Sequence, residues 1–172
     1  MMKSFKLSEF NALSLQAARE ALTYCCGSSA WVDKMASSRP FKDRSELLGK
    51  ATNVWNSLSE EDWKEAFTHH PKIGDLESLK KKFSATRNWA EQEQKGSQGA
   101  SEAVLRALAR GNETYENRFG YIFIVCATGK TAEEMLNLLE ERLKNNPEVE
   151  IKKAALEQDK ITHIRLEKLI YE

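Results

Sequence analysis

RSELLGKATNVWNSL, residues 44–58, is the stretch that decides the fold class. Its apolar side chains recur at offsets of 0, 1, 4, 7, 8 and 11, which is one face of a helix with about 3.6 residues per turn. A strand would alternate with a period of two, so this spacing predicts an amphipathic helix with one face on the core. The residues of that face are Leu47, Leu48, Ala51, Val54, Trp55 and Leu58.

Helix signals continue on both sides of this stretch. Ser59 is a typical N-cap, and three acidic residues follow it where the helix dipole favours negative charge. The helix that it starts should end before Pro71, because residues that precede proline avoid the helical region. Thr131 and Glu134 have the spacing of a capping box and predict another helix start. Further helices are predicted over residues 14–24, through residues 104–119, and from about residue 149 to residue 170.

One segment does not follow the helical period. Residues 121–126 are the apolar, β-rich run YIFIVC between Gly120 and Gly129. A single strand would have no partner elsewhere in the sequence, so we predict a buried extended link. Its backbone groups need hydrogen-bond partners, and a ligand could supply some of them. The predicted fold is all-α: a single-domain helical bundle over residues 1–172 with this short buried extended segment.

Composition argues against several classes of protein. The 172 residues include 26 Lys+Arg and 26 Asp+Glu, which gives a formal net charge of zero. We expect no nucleic-acid partner, because proteins of that class usually carry a basic excess. We also expect no membrane partner, because no apolar run approaches the roughly 20 residues of a membrane helix.

Cysteine usage and the N-terminus bear on the cellular compartment. The three cysteines include an adjacent pair and no C-x-x-C spacing, which argues against a disulfide framework and most zinc sites. Each cysteine is expected to be a small buried hydrophobe. No secretory signal is visible in MMKSFKLSEF at the start of the chain, so we expect a cytoplasmic protein.

The turn HHPKIGD, residues 69–75, could carry chemistry. An imidazole titrates near neutrality, so His69 or His70 could act as a general acid or base on a rigid turn. The alternative is structural: a helix C-terminus that histidine stabilises and that Pro71 ends. A metal site from the two histidines lacks the H-E-x-x-H spacing.

Two further segments contain charged side chains of interest. Arg118 falls at helical spacing with the apolar residues of 104–119, so we expect its guanidinium on the apolar side of the helix. A half-buried guanidinium needs an anion, which could be a structural carboxylate or a substrate. In WAEQEQKG, residues 89–96, Glu91 and Glu93 would point to different sides of a helix. At most one of them could share a site with Gln94, and the alternative is a solvated helix surface.

Taken together, these segments resemble the 2-oxo-4-hydroxy-4-carboxy-5-ureidoimidazoline (OHCU) decarboxylases of purine breakdown over almost the whole chain. The motifs are FNALS at 10–14, CCGSSAW at 25–31, HPKIGD at 70–75, EQEQKG at 91–96 and YENRFGYIFIVCATGKT at 115–131. The run CCGSS and the C-terminal tail are also similar to the decarboxylase half of plant bifunctional allantoin synthases.

The resemblance implies an all-helical enzyme, usually a homodimer, that decarboxylates a ureidoimidazoline substrate to (S)-allantoin with no metal and no organic cofactor. It puts the catalytic residues on His70 and Glu93, while Ala90 stands where the family motif has serine. The implied substrate-binding residues are Pro71, Gln94, Arg118, Ile122, Phe123 and Ile124. A competing hypothesis is a non-catalytic helical module that keeps the pocket and binds a small ligand. A third is a metal-dependent hydrolase that uses His69 and His70.

Overall fold

The computed structural model describes residues 2–72, 75–84 and 97–171, which form nine helices and two short strands. This confirms the all-α prediction. None of the helices in these ranges is both long enough and apolar enough to cross a membrane. The chain divides into two compact units, Met1–His70 with Lys153–Glu172, and Pro71–Lys152. The single domain over residues 1–172 stays a prediction, because compactness does not measure whether the units unfold together.

The first unit contains both ends of the chain. Its two strands pair in parallel, with Phe5 opposite Ile170. Two residues are too few to show a strand period, so the sequence did not reveal this pair. The elements of the unit are β1 (Phe5–Lys6), α1 (Leu7–Ala12), α2 (Leu15–Thr23), α3 (Ser29–Ser37), α4 (Arg44–Asn56), α5 (Glu60–Thr68), the C-terminal part of α9 (Pro147–Leu169) and β2 (Ile170–Tyr171).

Two buried tryptophans connect the helices of the first unit. Trp31 is fully buried and Trp55 nearly so. The indole Nε1 of Trp31 donates to the carbonyl of Ala51 at 3.1 Å, and Nε1 of Trp55 donates to the carbonyl of Ala155 at 2.9 Å. A buried indole N–H needs such a partner, so these bonds align α3 with α4 and α4 with α9.

The second unit consists of α6 (Leu76–Ser84), α7 (Ser97–Phe119), α8 (Ala132–Leu143) and the start of α9. Gly120 ends α7 with a φ of 83°, a conformation that glycine adopts without the steric cost of a Cβ atom. Residues 121–126 then run without regular secondary structure, with Tyr121, Ile124 and Cys126 buried. The segment is therefore a partly buried link without helix or strand, and its extended conformation stays a prediction.

Helix starts follow the predicted caps. The side chain of Ser59 accepts from the N–H of Asp62, and Thr131 forms the predicted capping box with Glu134. α9 begins at Pro147, slightly earlier than predicted, because proline fits the first turn of a helix, where no N–H bond is needed.

Candidate functional site

His70 lies just beyond the C-terminal end of α5. The backbone N–H of His69 donates to the carbonyls of Ala66 and Phe67, which closes the helix. The side chain of His70 is half-buried, and its Nε2 is hydrogen-bonded to Oε1 of Gln158 on α9. The histidine pair therefore lies at the end of a helix, as the structural alternative predicted. One of its two imidazoles, that of His70, is also bonded to a buried polar side chain.

A chain of buried polar side chains extends inward from His70. Gln158 is 1% exposed, and its Nε2 donates to Oγ1 of Thr162 at 3.1 Å. Burial raises the pKa of the Cys26 thiol to about 12, although bonds to Ser28 and Thr162 oppose the rise. The thiol is therefore protonated near neutral pH and lacks the thiolate that a nucleophile needs.

Sequence reasoning missed Gln158. The available signal was helical spacing: Gln158 falls on the same face of α9 as Ala154, Ala155 and Thr162, all of which are buried. A polar residue on an apolar face indicates a buried hydrogen bond but does not reveal its partner.

The other two histidines have different neighbours within the first unit. The ring of His69 lies against Gly27, where an added Cβ atom would come within 2.3 Å of the His69 Cγ. Oγ1 of Thr52 lies 2.7 Å from Nε2 of His163 and donates to Oδ2 of Asp159 at 2.9 Å. Of the three imidazoles, His70 is the one bonded to Gln158.

The HPKIGD turn continues into the second unit at Pro71, which is exposed. Nζ of Lys72 lies 2.8 Å from a carboxylate oxygen of Glu116 on α7. Asp75 caps α6, because its carboxylate accepts from both the N–H and the hydroxyl of Ser78 at 2.8 Å. These hydrogen bonds lower the pKa of Asp75. The acidic end of the motif is therefore a helix cap.

Arg118 lies in the last turn of α7 and is exposed, so the expectation of a guanidinium on the apolar side is wrong. Its Nη2 donates to the carbonyl of Asn145 at 3.0 Å, and the guanidinium lies 5.1 Å from the ring centre of Phe119. The buried stripe of this helix passes through Tyr115, and Arg118 falls at its edge. A long side chain at that edge can carry its charge to solvent.

Among the described residues of the second unit, the buried arginine is Arg142 on α8. It forms a salt bridge with Glu150, with Nη2 and Oε1 at 2.6 Å, and the two side chains are 8% and 0% exposed. Glu150 also accepts hydrogen bonds from the hydroxyl of Tyr115 and from Nδ2 of Asn145. The sequence signal was again spacing, because Arg142 is in register with the apolar stripe of α8.

This salt bridge supports residues 121–126. Nη1 of Arg142 donates to the carbonyl of Ile124 at 2.5 Å, and the guanidinium lies 4.6 Å from the ring centre of Phe123. The same ring packs edge-on against Tyr115, whose pKa is raised by burial and by its bond to the buried carboxylate. Ile122 and Phe123 are half-buried, whereas Ile124 is buried. The protein itself thus supplies a partner for the backbone of this segment.

The predicted site residues fall into three groups. Pro71, Arg118, Ile122, Phe123 and Ile124 belong to the second unit, and His70 belongs to the first unit. Ala90, Glu93 and Gln94 lie outside the described residues. Within 2–72, 75–84 and 97–171, no group of three or more His, Cys, Asp and Glu side chains is arranged to hold a metal ion.

Comparison with known proteins gives consistent matches. Residues 11–167 match the model of the OHCU decarboxylase family. The chain is 37% identical to the uric acid degradation bifunctional protein TTL of Arabidopsis thaliana, over 91% of this chain and 48% of that protein. It is 31% identical to the 2-oxo-4-hydroxy-4-carboxy-5-ureidoimidazoline decarboxylase of Amia calva, over 78% of this chain and 76% of that protein.

A solved structure matches over most of both molecules. The crystal structure of OHCU decarboxylase in the presence of (S)-allantoin aligns with a TM-score of 0.72 and 38% identity, over 90% of this chain and 99% of that chain. By contrast, the chain spans about half the length of the Arabidopsis relative. Because the family model matches most of the sequence and this neighbour matches in both sequence and fold, the chain belongs to the OHCU decarboxylase family.

Proposed function

We propose that this chain decarboxylates 2-oxo-4-hydroxy-4-carboxy-5-ureidoimidazoline to (S)-allantoin in urate breakdown, without a cofactor. The observation that carries the proposal is the 38% identity to an OHCU decarboxylase whose structure was solved in the presence of (S)-allantoin, over 99% of that chain. A match of this extent favours the same small-molecule substrate.

The chemistry of the substrate explains why no cofactor is needed. Its carboxylate is attached to a carbon next to a C=N bond. When the bond to the carboxylate breaks, CO2 leaves and the electron pair moves toward the C=N group, so the substrate is its own electron sink. A proton then adds to the ring on one face, which determines the handedness of the product. The protein has to orient the carboxylate, stabilise the developing charge and deliver that proton.

All the predicted site residues except Pro71 have an assigned role in this scheme. His70 acts at the reacting carbon and assists proton transfer. Arg118 binds polar substrate oxygens; its exposed guanidinium at the end of α7 supports this role. Glu93 and Gln94 bind the ureido group and the ring N–H groups. The backbone of residues 122–124 lines the pocket, and the hydrogen bond from Arg142 to the Ile124 carbonyl supports a rigid lining.

The test generates the substrate from urate with an oxidase and a hydrolase, then follows circular dichroism with and without this protein. Spontaneous decay should give both enantiomers, so rapid appearance of a single-handed signal supports the proposal. Slow, optically inactive decay in the presence of the protein would contradict it. Binding of (S)-allantoin without any rate effect would indicate the binding module, and inhibition by a chelator would indicate the metal-dependent hydrolase.

Replacing His70 tests its role directly. We expect His70→Ala to lower turnover by about 10²–10⁴-fold, the usual contribution of a general acid–base group, with an unchanged far-UV spectrum. The matched control is His163→Ala, which removes an imidazole bonded to Thr52 in the same unit. Wild-type turnover in His70→Ala would remove His70 from the mechanism.

We also propose that the protein is a homodimer, which rests on its resemblance to a family whose members are usually dimers. Light scattering coupled to size-exclusion chromatography should give about 39 kDa, twice the chain mass of 19.6 kDa. A mass of one chain across the micromolar range would contradict the proposal.

We propose a reducing, cytoplasmic location. The support is that Cys25, Cys26 and Cys126 are all free and buried, as is usual for proteins of reducing compartments. Fractionation of the source cells with an antibody against this protein tests the location, and enrichment in an oxidising compartment would contradict it.

A further inference from the structure

The hydrogen bond between His70 and Gln158 determines which ring nitrogen of His70 carries a proton. Oε1 of Gln158 faces Nε2 of His70. A carbonyl oxygen can only accept, so Nε2 must be the donor. A neutral imidazole has one N–H, and the proton is then on Nε2 while Nδ1 is the basic nitrogen.

The amide of Gln158 has a hydrogen-bond partner at each end. Its Nε2 donates to Oγ1 of Thr162 at 3.1 Å while its Oε1 faces Nε2 of His70, and the tautomer of His70 is inferred from this amide orientation. Both Gln158 and Thr162 are at most 2% exposed, so solvent does not compete for these bonds.

We propose that Gln158 is a positioning residue that holds His70 as the Nε2–H tautomer, so that Nδ1 is the nitrogen that exchanges a proton with the substrate. The inference rests on the proposed function for its catalytic part. It goes beyond the family resemblance, which identified His70 but neither its tautomer nor the residue that fixes it. Gln158 is 1% exposed and is bonded to the imidazole, so the role assigned to it acts through His70.

Three variants test the catalytic part. Gln158→Met keeps the approximate side-chain length but removes the acceptor, and we expect kcat to fall on the order of 10- to 100-fold with KM within about threefold. Gln158→Glu keeps an acceptor oxygen toward Nε2, and we expect it to recover most of that loss. Thr52→Val is the matched control. It removes a hydroxyl bonded to Asp159 and His163, which lie on α9 as Gln158 does, and it leaves the bond between Gln158 and His70 in place.

A spectroscopic readout tests the tautomer without relying on activity. Long-range proton–nitrogen correlation spectra of wild-type protein labelled with ¹⁵N-histidine distinguish the two tautomers near pH 8.5, about two units above the usual histidine pKa. The chain has three histidines, so His69→Ala and His163→Ala are enough to assign the signals. We expect His70 to be the Nε2–H form in the wild type and a mixture in Gln158→Met.

The outcomes separate this inference from the proposed function. An active wild type with undiminished kcat in folded Gln158→Met overturns the positioning role. A wild-type His70 in the Nδ1–H form overturns the inference whatever the activity, and this measurement remains decisive if Gln158→Met fails to fold. An inactive wild type with His70 in the Nε2–H form overturns the proposed function and the catalytic role of Gln158. The tautomer assignment stands in that case.

Discussion

Arg142→Met should strongly destabilise the protein, because it leaves a buried carboxylate without its counter-ion. Glu150 would keep the Tyr115 hydroxyl and the Asn145 amide but lose the guanidinium that lies 2.6 Å away. The Ile124 carbonyl would lose its donor as well. Breaking a buried ion pair by removing one partner costs about 3–5 kcal/mol. At about 2–4 °C per kcal/mol for a chain of this size, the melting temperature should fall by roughly 6–20 °C.

Two further variants isolate the cause. Adding Glu150→Gln to Arg142→Met removes the unpaired buried carboxylate and keeps an acceptor for the Tyr115 hydroxyl. The double variant should therefore regain much of the lost stability. Arg106→Met is the matched control on α7, where the arginine pairs with Glu102 in an exposed salt bridge and should matter little. Urea unfolding followed by far-UV circular dichroism measures the free energy of unfolding of all three variants. A cost below about 1 kcal/mol for Arg142→Met, or a double variant no better than the single one, would refute the argument.

Two other predictions concern packing and thiol chemistry. Gly27→Ala should lower the free energy of unfolding by about 1–3 kcal/mol, because the new Cβ atom would lie 2.3 Å from the His69 Cγ. Gly49→Ala should raise the free energy of unfolding by about 0.5–1 kcal/mol, since nothing lies within 4 Å of the new Cβ atom. Equal melting temperatures for the two variants would contradict this. Burial raises the pKa values of Cys25 and Cys26 to about 12, so only about one thiol in ten thousand is ionised at pH 8. Iodoacetamide should therefore modify them only after denaturation, and rapid labelling of the native protein, read by mass spectrometry, would count against the burial.

Local signals in the sequence predicted most of the secondary structure. Ser59 and Thr131 were identified as helix starts because their side chains act on the backbone two or three residues away. The segment 121–126 was recognised because its apolar run lacks a helical period. The two-residue strands were missed, since Phe5 pairs with Ile170 across almost the whole length of the chain.

The site was predicted less completely, and Arg118 shows why. Helical spacing put it near the apolar stripe, but spacing gives an angle around the helix axis and not the depth to which a long side chain is buried. Within the part of the chain that the structure describes, the buried arginine is Arg142, whose counter-ion Glu150 lies on a different helix. His70, in contrast, was identified from its motif, although its role as catalyst stays a prediction.

By itself, the sequence determined six of the nine helices of the described residues, two of their N-caps and the family, because these depend on residues within a few positions of each other or on motifs in a fixed order; α1, α3 and α6 were not predicted. Only the tertiary structure decided which groups the buried polar side chains bond to. Gln158 meets His70 across 88 positions, and Arg142 meets Ile124 across 18. Periodicity indicates that a polar side chain is buried, whereas folding selects which distant group satisfies it, since that choice depends on how the helices pack.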